Sequence, residues 1–309
     1  MRAFIIGNGF DLAHGMKTSY LDFYNYIKSN YSDMNSDVMF VPTPVTAPDG
    51  DEVVNETDAV SLLCHLIEDA CGGDWSDFES ALGKINLFEC FDDLKEVYDR
   101  DGDRNLWHEA YNNEDRMSDL NIVFPIIRSL FSDWIETIKV SKHGFVGFSN
   151  LIDRSSDLFI SFNYTHTLEE LYGCKNVIHM HGEAGNGREN IIFGHNGNID
   201  YSENNPRVPV GCYNNLQELY DLLRKPTGVV ITEHHRQLKI LSECSEIYSI
   251  GFSYSDVDLP YIKEMCNIIK ENSVKWIFDD YNSKSTIKRF QKKVKACGFA
   301  GGFSTFSIY

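Results

Sequence analysis

The chain has 309 residues, room for one large domain or one domain with a substantial insertion, and its 42% hydrophobic content can fill a core. A formal net charge of −18 weighs against general nucleic-acid binding, because phosphate contacts need clustered lysine and arginine. The sequence lacks the run of roughly 20 apolar residues that spans a bilayer, and its eight scattered cysteines form no Cys-x-x-Cys pair, so no membrane partner, zinc ribbon or disulfide framework is expected and a cytoplasmic protein is.

The chain opens with Arg2-Ala3-Phe4-Ile5-Ile6, which runs into Gly7-Asn8-Gly9-Phe10-Asp11 and then an amphipathic stretch from Tyr20 to Ile27. A short apolar run closed by two glycines and followed by helical periodicity predicts strand, tight turn, helix. Such a turn lets backbone approach a phosphate or ribose, and the helix start can offer free N–H groups to an anion. Gly-x-Gly lacks the third glycine of the common dinucleotide fingerprint, so a plain tight turn stays open as a reading.

Residues 31–58, with Pro42, Pro44, Pro48 and many acids, predict a long loop, and residues 59–153 carry helical periodicity, clearest from Met117 to Val140. Pro125 should kink or start a helix there. Within this stretch Ser76 and Glu79 have capping-box spacing, and Glu79 is also a candidate site residue that could reach over a cleft. Asp99-Arg100-Asp101-Gly102-Asp103 resembles a calcium loop only faintly, because its glycine comes too early and no glutamate closes it; a solvated turn is expected.

Five further strands are expected at Asp157 to Phe162, Asn176 to Met180, Asn190 to Phe193, Glu246 to Ile250 and Val274 to Phe278, with helical patterns between several of them. The basic run from Lys288 to Lys295 reads as the solvated face of a last helix. Together these predict an α/β, Rossmann-like fold with a mostly parallel sheet flanked by helices and a mainly helical insertion after the first strand. The expected division is 1–30 with 151–309 as the nucleotide-binding core and 31–150 as the insertion.

In an open α/β sheet, ligands bind outside the carboxyl ends of the strands. Four segments leave predicted strands there: Gly7 to Asp11; Ser161-Phe162-Asn163-Tyr164-Thr165; His179-Met180-His181-Gly182; and Gly251-Phe252-Ser253 through Asp256. The Asn163 amide can donate and accept at once, which suits a water or a ribose hydroxyl; the lesser reading is that it caps a helix starting near Thr165. His179 and His181 alternate and should share one strand face; they could bind metal, but no third ligand is evident and none is expected. His181, before Gly182, is the better candidate base, since imidazole titrates near neutral pH, while His179 is a secondary candidate. Ser253 and Asp256 have the spacing of a helix cap, and glycine approach to a ligand can accompany it.

The opening Ile5 to Gly15, then Thr18-Ser19-Tyr20 and Asp22-Phe23, resembles the bacterial AbiH family of phage abortive-infection proteins. Trp75 to Glu79, Phe162 to Thr165, His179 to Gly182, Phe193-Gly194-His195 and Gly251-Phe252-Ser253 extend the likeness in order over nearly the whole chain, and His195 enters the candidates through it. That family is similar in turn to sirtuin-like defence domains. This likeness implies that Asn163 contacts the NAD ribose, that His181 is the catalytic histidine, and that Gly7, Asn8, Gly9, Phe10, Asp11, Tyr164, Gly182, Gly251 and Ser253 line the dinucleotide. Thr165 stands where the sirtuin-like motif has Asp, and the zinc-holding cysteines of deacetylase sirtuins are missing, so hydrolysis of NAD is expected rather than deacetylation. The implied function is an anti-phage effector that hydrolyses the nicotinamide–ribose bond of NAD, a substrate rather than a tightly bound cofactor. The alternatives are a non-catalytic nucleotide sensor acting through a partner protein and, further off, a nuclease toxin. A phage trigger and a homo-oligomer are compatible with each.

Overall fold

The computed structural model describes residues 1–202, 204–269 and 273–307. Among these the strands are β1 (Arg2–Ile6), β2 (Val45–Thr46), β3 (Glu52–Val53), β4 (Leu158–Ser161), β5 (Val177–His179), β6 (Glu246–Ile250), β7 (Lys275–Asp279) and β8 (Gly302–Phe306). The helices are α1 (Asn8–Ala13), α2 (Tyr20–Asn30), α3 (Glu56–Cys71), α4 (Phe78–Leu82), α5 (Leu106–Val123), α6 (Ile126–Thr137), α7 (Val146–Leu151), α8 (Thr167–Tyr172), α9 (Tyr213–Leu222), α10 (Thr227–Leu238), α11 (Leu259–Ile268) and α12 (Lys284–Ala296). The chain divides into two compact units, one of residues 1–19, 132–192 and 225–309, the other of residues 20–131 and 193–224.

The first unit carries a six-stranded sheet in the order β5-β4-β1-β6-β7-β8, with every pairing parallel. In chain order within the sheet this is 3-2-1-4-5-6, the doubly wound arrangement in which strand order reverses between the first and fourth strands. The expected α/β class with a parallel sheet is therefore what the chain forms. β1 lies at the reversal, and its residues read as a continuous apolar run because both faces are covered.

Period-2 alternation sorts the strand residues between two cores. Ala3, Ile5, Leu158, Ile160, Ile247, Trp276 and Phe278 pack with α10, α11 and α12 through Val230, Tyr261, Met265 and Phe290. Phe4, Ile6, Phe159, Tyr248, Ile250 and Ile277 pack with α1, α7 and α8 through Phe10, Phe148, Leu168 and Tyr172. The basic run lies on α12 as expected, where Ile287, Phe290 and Val294 supply the buried stripe and Ser283 caps the helix by accepting the Thr286 N–H at 3.2 Å.

Two strand expectations need correction. Residues 190–193 form no strand; Ile191 and Phe193 are buried without a ladder of their own. β8 was not expected, because Gly302-Phe303-Ser304-Thr305-Phe306 is a largely exposed edge strand that lacks the β-branched apolar run of a buried one. Within 31–58, the hairpin β2–β3 and the start of α3 interrupt the expected loop.

The second unit contains α2 to α5 and α9. An aromatic stack holds it: Trp75 lies parallel to Tyr24 at 4.5 Å between ring centroids and to Phe78 at 5.6 Å, and Phe131 packs on Phe193 at 4.4 Å. Asn55 caps α3 by accepting the Asp58 N–H, and Gly72 ends it in the left-handed conformation. Pro125 falls between α5 and α6, so the predicted periodicity from Met117 to Val140 divides into two helices at the residue that cannot donate. Asp99 accepts the N–H groups of Asp101 and Asp103, which makes its acidic loop the expected self-satisfied turn.

Candidate functional site

The exits of β1 and β6 meet at the reversal of strand order. Gly7 donates its N–H to the Ile250 carbonyl at 3.0 Å and Gly9 donates to the Gly251 carbonyl at 2.9 Å. A Cβ on Gly7 would stand 2.6 Å from the Gly251 oxygen and one on Gly9 2.7 Å from the Gly251 Cα, so backbone packed on backbone already requires these glycines. Gly251 has φ +61°, and Tyr254 at φ +54° is the sole non-glycine among the described residues with positive φ. A buried aromatic in that region is held by its surroundings. Its hydroxyl donates to Ser249 Oγ at 2.8 Å and accepts the Trp276 Nε1–H at 2.9 Å, and Lys293 Nζ donates to its carbonyl at 2.8 Å. Ser253 is exposed beside it. The helix expected to start at Ser253 and Asp256 starts later, as α11 at Leu259 with Asp258 as its N-cap; Asp256 pairs with Lys293 at 2.7 Å, and Ser255 donates to Asp258 Oδ2 at 2.9 Å.

The exit of β4 brings Asn163 and Thr165 to Asp11 on α1. Thr165 Oγ1 donates to Asp11 Oδ2 at 2.5 Å, and Asp11 is 1% exposed. Burial raises the Asp11 carboxyl to about 6, against the opposing hydrogen bonds of Thr165, Thr167 and Asn163. Asp11 Oδ1 and Asn163 Oδ1 are both buried without a hydrogen-bond partner. Asn163 does not cap α8, whose N-cap is His166; its carbonyl instead accepts from His179 Nδ1 at 3.1 Å. Asn8 is exposed and donates to the Thr18 carbonyl at 2.7 Å, Phe10 is core, and the Tyr164 hydroxyl donates to the Ile192 carbonyl at 2.9 Å.

His179 and His181 do not share a strand face, because β5 ends at His179 and the alternation stops there. His179 Nε2 lies 2.8 Å from Glu169 Oε1 and 3.6 Å from Glu183 Oε2. Burial works against its charged form, yet Glu169, the Asn163 carbonyl and Glu183 together raise its pKa. His181 is 4% exposed, packed between Phe162 and Tyr261 at ring-centroid distances of 5.2 and 5.6 Å. Its Nε2 lies 3.5 Å from Asp258 Oδ1, outside hydrogen-bond geometry. Lys225 Nζ donates to the same Asp258 oxygen at 2.9 Å. Burial alone would push the Asp258 carboxyl up; the charge of Lys225, with His181, holds it well below the usual carboxylate range. Gly182, at φ +78°, must be glycine because a Cβ would overlap the Asn190 carbonyl oxygen.

The remaining two candidates belong to the second unit, each inside a local network. Glu79 Oε1 accepts the Gly194 N–H at 3.2 Å, and the capping role expected of Ser76 and Glu79 falls to Asp74, which accepts the Ser76 N–H at 2.9 Å. His195 is wholly buried; Nδ1 accepts the Gly197 N–H at 3.0 Å, so Nε2 is the nitrogen that donates to the Tyr220 carbonyl at 3.0 Å. Burial lowers its pKa, which agrees with a neutral ring.

Sequence reasoning passed over Lys225, Asp258, His166, Glu169 and Asp279, the last a buried acid whose Oδ2 accepts the Gly251 N–H at 2.7 Å. Asp258 and Lys225 sit in ordinary helix-start contexts, and only their pairing across 33 residues marks them. Comparison with curated proteins and with solved structures returned no match. A family model described as "Bacteriophage abortive infection AbiH" matches residues 3–280. With the expected sheet formed and that match covering nearly the whole length, the chain belongs to the AbiH family of bacteriophage abortive-infection proteins.

Proposed function

We propose that the strand exits of the first unit bind NAD or a related nucleotide and that the protein hydrolyses its nicotinamide–ribose bond as an abortive-infection effector. The observation that carries this reading is that Asn163, Asp11, His181 and the glycine turns all lie at the carboxyl edge of one doubly wound sheet, with Asp11 Oδ1 and Asn163 Oδ1 buried and unpaired. Native proteins pair such groups, and an unpaired one costs about 1–3 kcal/mol. Two of them at one strand exit are a cost that ligand contacts can offset.

In this reading nicotinamide leaves with the electron pair of the glycosidic bond, an oxocarbenium-like ribose accepts a water oxygen, and the water proton passes to His181 and then to solvent. Asp258, fixed by Lys225 and Ser255, positions the imidazole by facing Nε2, and Nδ1 bonds to no described residue and is the nitrogen offered to water. Asn163 orients a ribose hydroxyl or the water through its amide.

The test is release of free nicotinamide from NAD by the purified full chain. His181→Ala should lower the rate by about 10²–10⁴-fold, the ordinary contribution of a positioned acid or base. Equal release from wild type and variant would remove His181 from the chemistry, and saturable NAD binding with no release would leave the nucleotide-sensor reading.

A further inference from the structure

We propose that His166, His179, Glu169 and Glu183 form a binding site for one divalent transition metal ion, zinc by preference. His166 and Glu169 flank the start of α8, after β4, and His179 and Glu183 lie at the end of and beyond the neighbouring strand β5. The pairing of β4 with β5 thus brings two i,i+3 or i,i+4 pairs together that the sequence keeps apart. His166 Nε2 is 3.0 Å from Glu183 Oε2, His179 Nε2 is 3.6 Å from that same oxygen, and His179 Nε2 is 2.8 Å from Glu169 Oε1. One ligand atom from each of His166, His179 and Glu183 lies within 4.8 Å of the others. A tetrahedral ion with metal–ligand bonds near 2.0–2.1 Å spaces its ligand atoms about 3.3 Å apart, so small movements would close the shell.

The surroundings supply what a metal histidine needs. His179 Nδ1 faces the Asn163 carbonyl at 3.1 Å, and an Nδ1–H donated there leaves the Nε2 lone pair directed at the cluster. That nitrogen then meets two carboxylates, an arrangement satisfied by a proton on Nε2 or by a metal ion that takes the proton's place. Glu169 Oε2 adds a buried carboxylate oxygen without a partner. Side-chain exposure of about a third at His166, Glu169 and Glu183 gives an ion a route in without unfolding. Two imidazoles with carboxylates suit zinc, whereas magnesium and calcium favour all-oxygen shells. A bound ion would tie the segment after β5 to the segment after β4 that carries Asn163.

The experiment titrates zinc into the full, untagged chain after chelator treatment, by calorimetry in millimolar magnesium, and repeats the loading with cobalt to read ligand-field absorption. One zinc per chain is expected, with His166→Ala and Glu183→Gln each weakening affinity at least tenfold and losing the cobalt spectrum. Circular dichroism identifies any variant that fails to fold, and Glu183→Gln, about a third exposed and nearly isosteric, keeps the test decisive if His166→Ala does. Absence of saturable zinc binding, or binding that Glu183→Gln leaves unchanged, overturns the proposal. Metal content is read without NAD, so the hydrolase reading and this one fail separately.

Discussion

His181 and His195 are both buried histidines that follow apolar segments, yet their surroundings differ in kind. In the second unit His195 has one nitrogen accepting and the other donating, and Glu79 close by in sequence to the aromatic stack accepts a backbone N–H. In the first unit His181 Nε2, Asn163 Oδ1 and Asp11 Oδ1 are buried and unpaired. The contrast teaches that the residue type does not mark a site. The completeness of its hydrogen bonding separates a histidine that holds structure together from one placed at a cost in stability, and groups kept at such a cost belong to function more often than to folding.

Substitutions can break or sharpen this contrast. The largest effect is expected at the buried Lys225–Asp258 pair: Lys225→Met removes the cation from buried Asp258 and should cost about 3–5 kcal/mol in denaturant unfolding. A loss below 1 kcal/mol would mean that the pair does not hold Asp258 ionised. Next, His195→Ala strips partners from the Gly197 N–H and the Tyr220 carbonyl and removes a ring packed at a tilt 4.3 Å from Tyr220, for a loss of about 3 kcal/mol. A neutral outcome there would erase the distinction between the two histidines.

The third effect is opposite in sign. The folded pKa of Asp11, about 6, lies above its unfolded value of 3.8, so the folded state binds the extra proton between these values. Stability from this group is therefore fully present below about pH 4 and is lost as pH rises through about 6. Asp11→Asn removes that loss and should stabilise the protein by about 3 kcal/mol at pH 7.5 and by well under 1 kcal/mol at pH 4. Thermal melts at the two pH values check it, and destabilisation at both would show that the ionised carboxylate is structurally needed.

Much of the sheet was legible because strand periodicity is local. The runs at β1, β4, β5, β6 and β7 are short, mostly apolar and bounded by polar or glycine residues; the first four lie within predicted segments, and β7 runs one residue past its own, to Asp279. Residues 190–193 carried the same apolar signal for a different reason, since Ile191 and Phe193 fill cores without a strand partner. β8 was hidden by the opposite circumstance: its ladder on β7 is regular, but its exposure leaves small and polar residues free to occupy it. The Ser76–Glu79 spacing was a sound local signal overruled by Asp74, which reached the N–H first, and by Gly194, which claimed the glutamate.

The sequence by itself determined the α/β class, the family, and the segments that leave the strands, because composition, periodicity and turn chemistry are written in neighbouring residues. Only the tertiary structure decided that Gly7 and Gly9 are glycines to let Gly251 pass, that His179 and His181 part to different carboxylates, and that Lys225 holds Asp258. Those assignments depend on partners far along the chain, whose desolvation and charge set each group's state, and no local pattern encodes them.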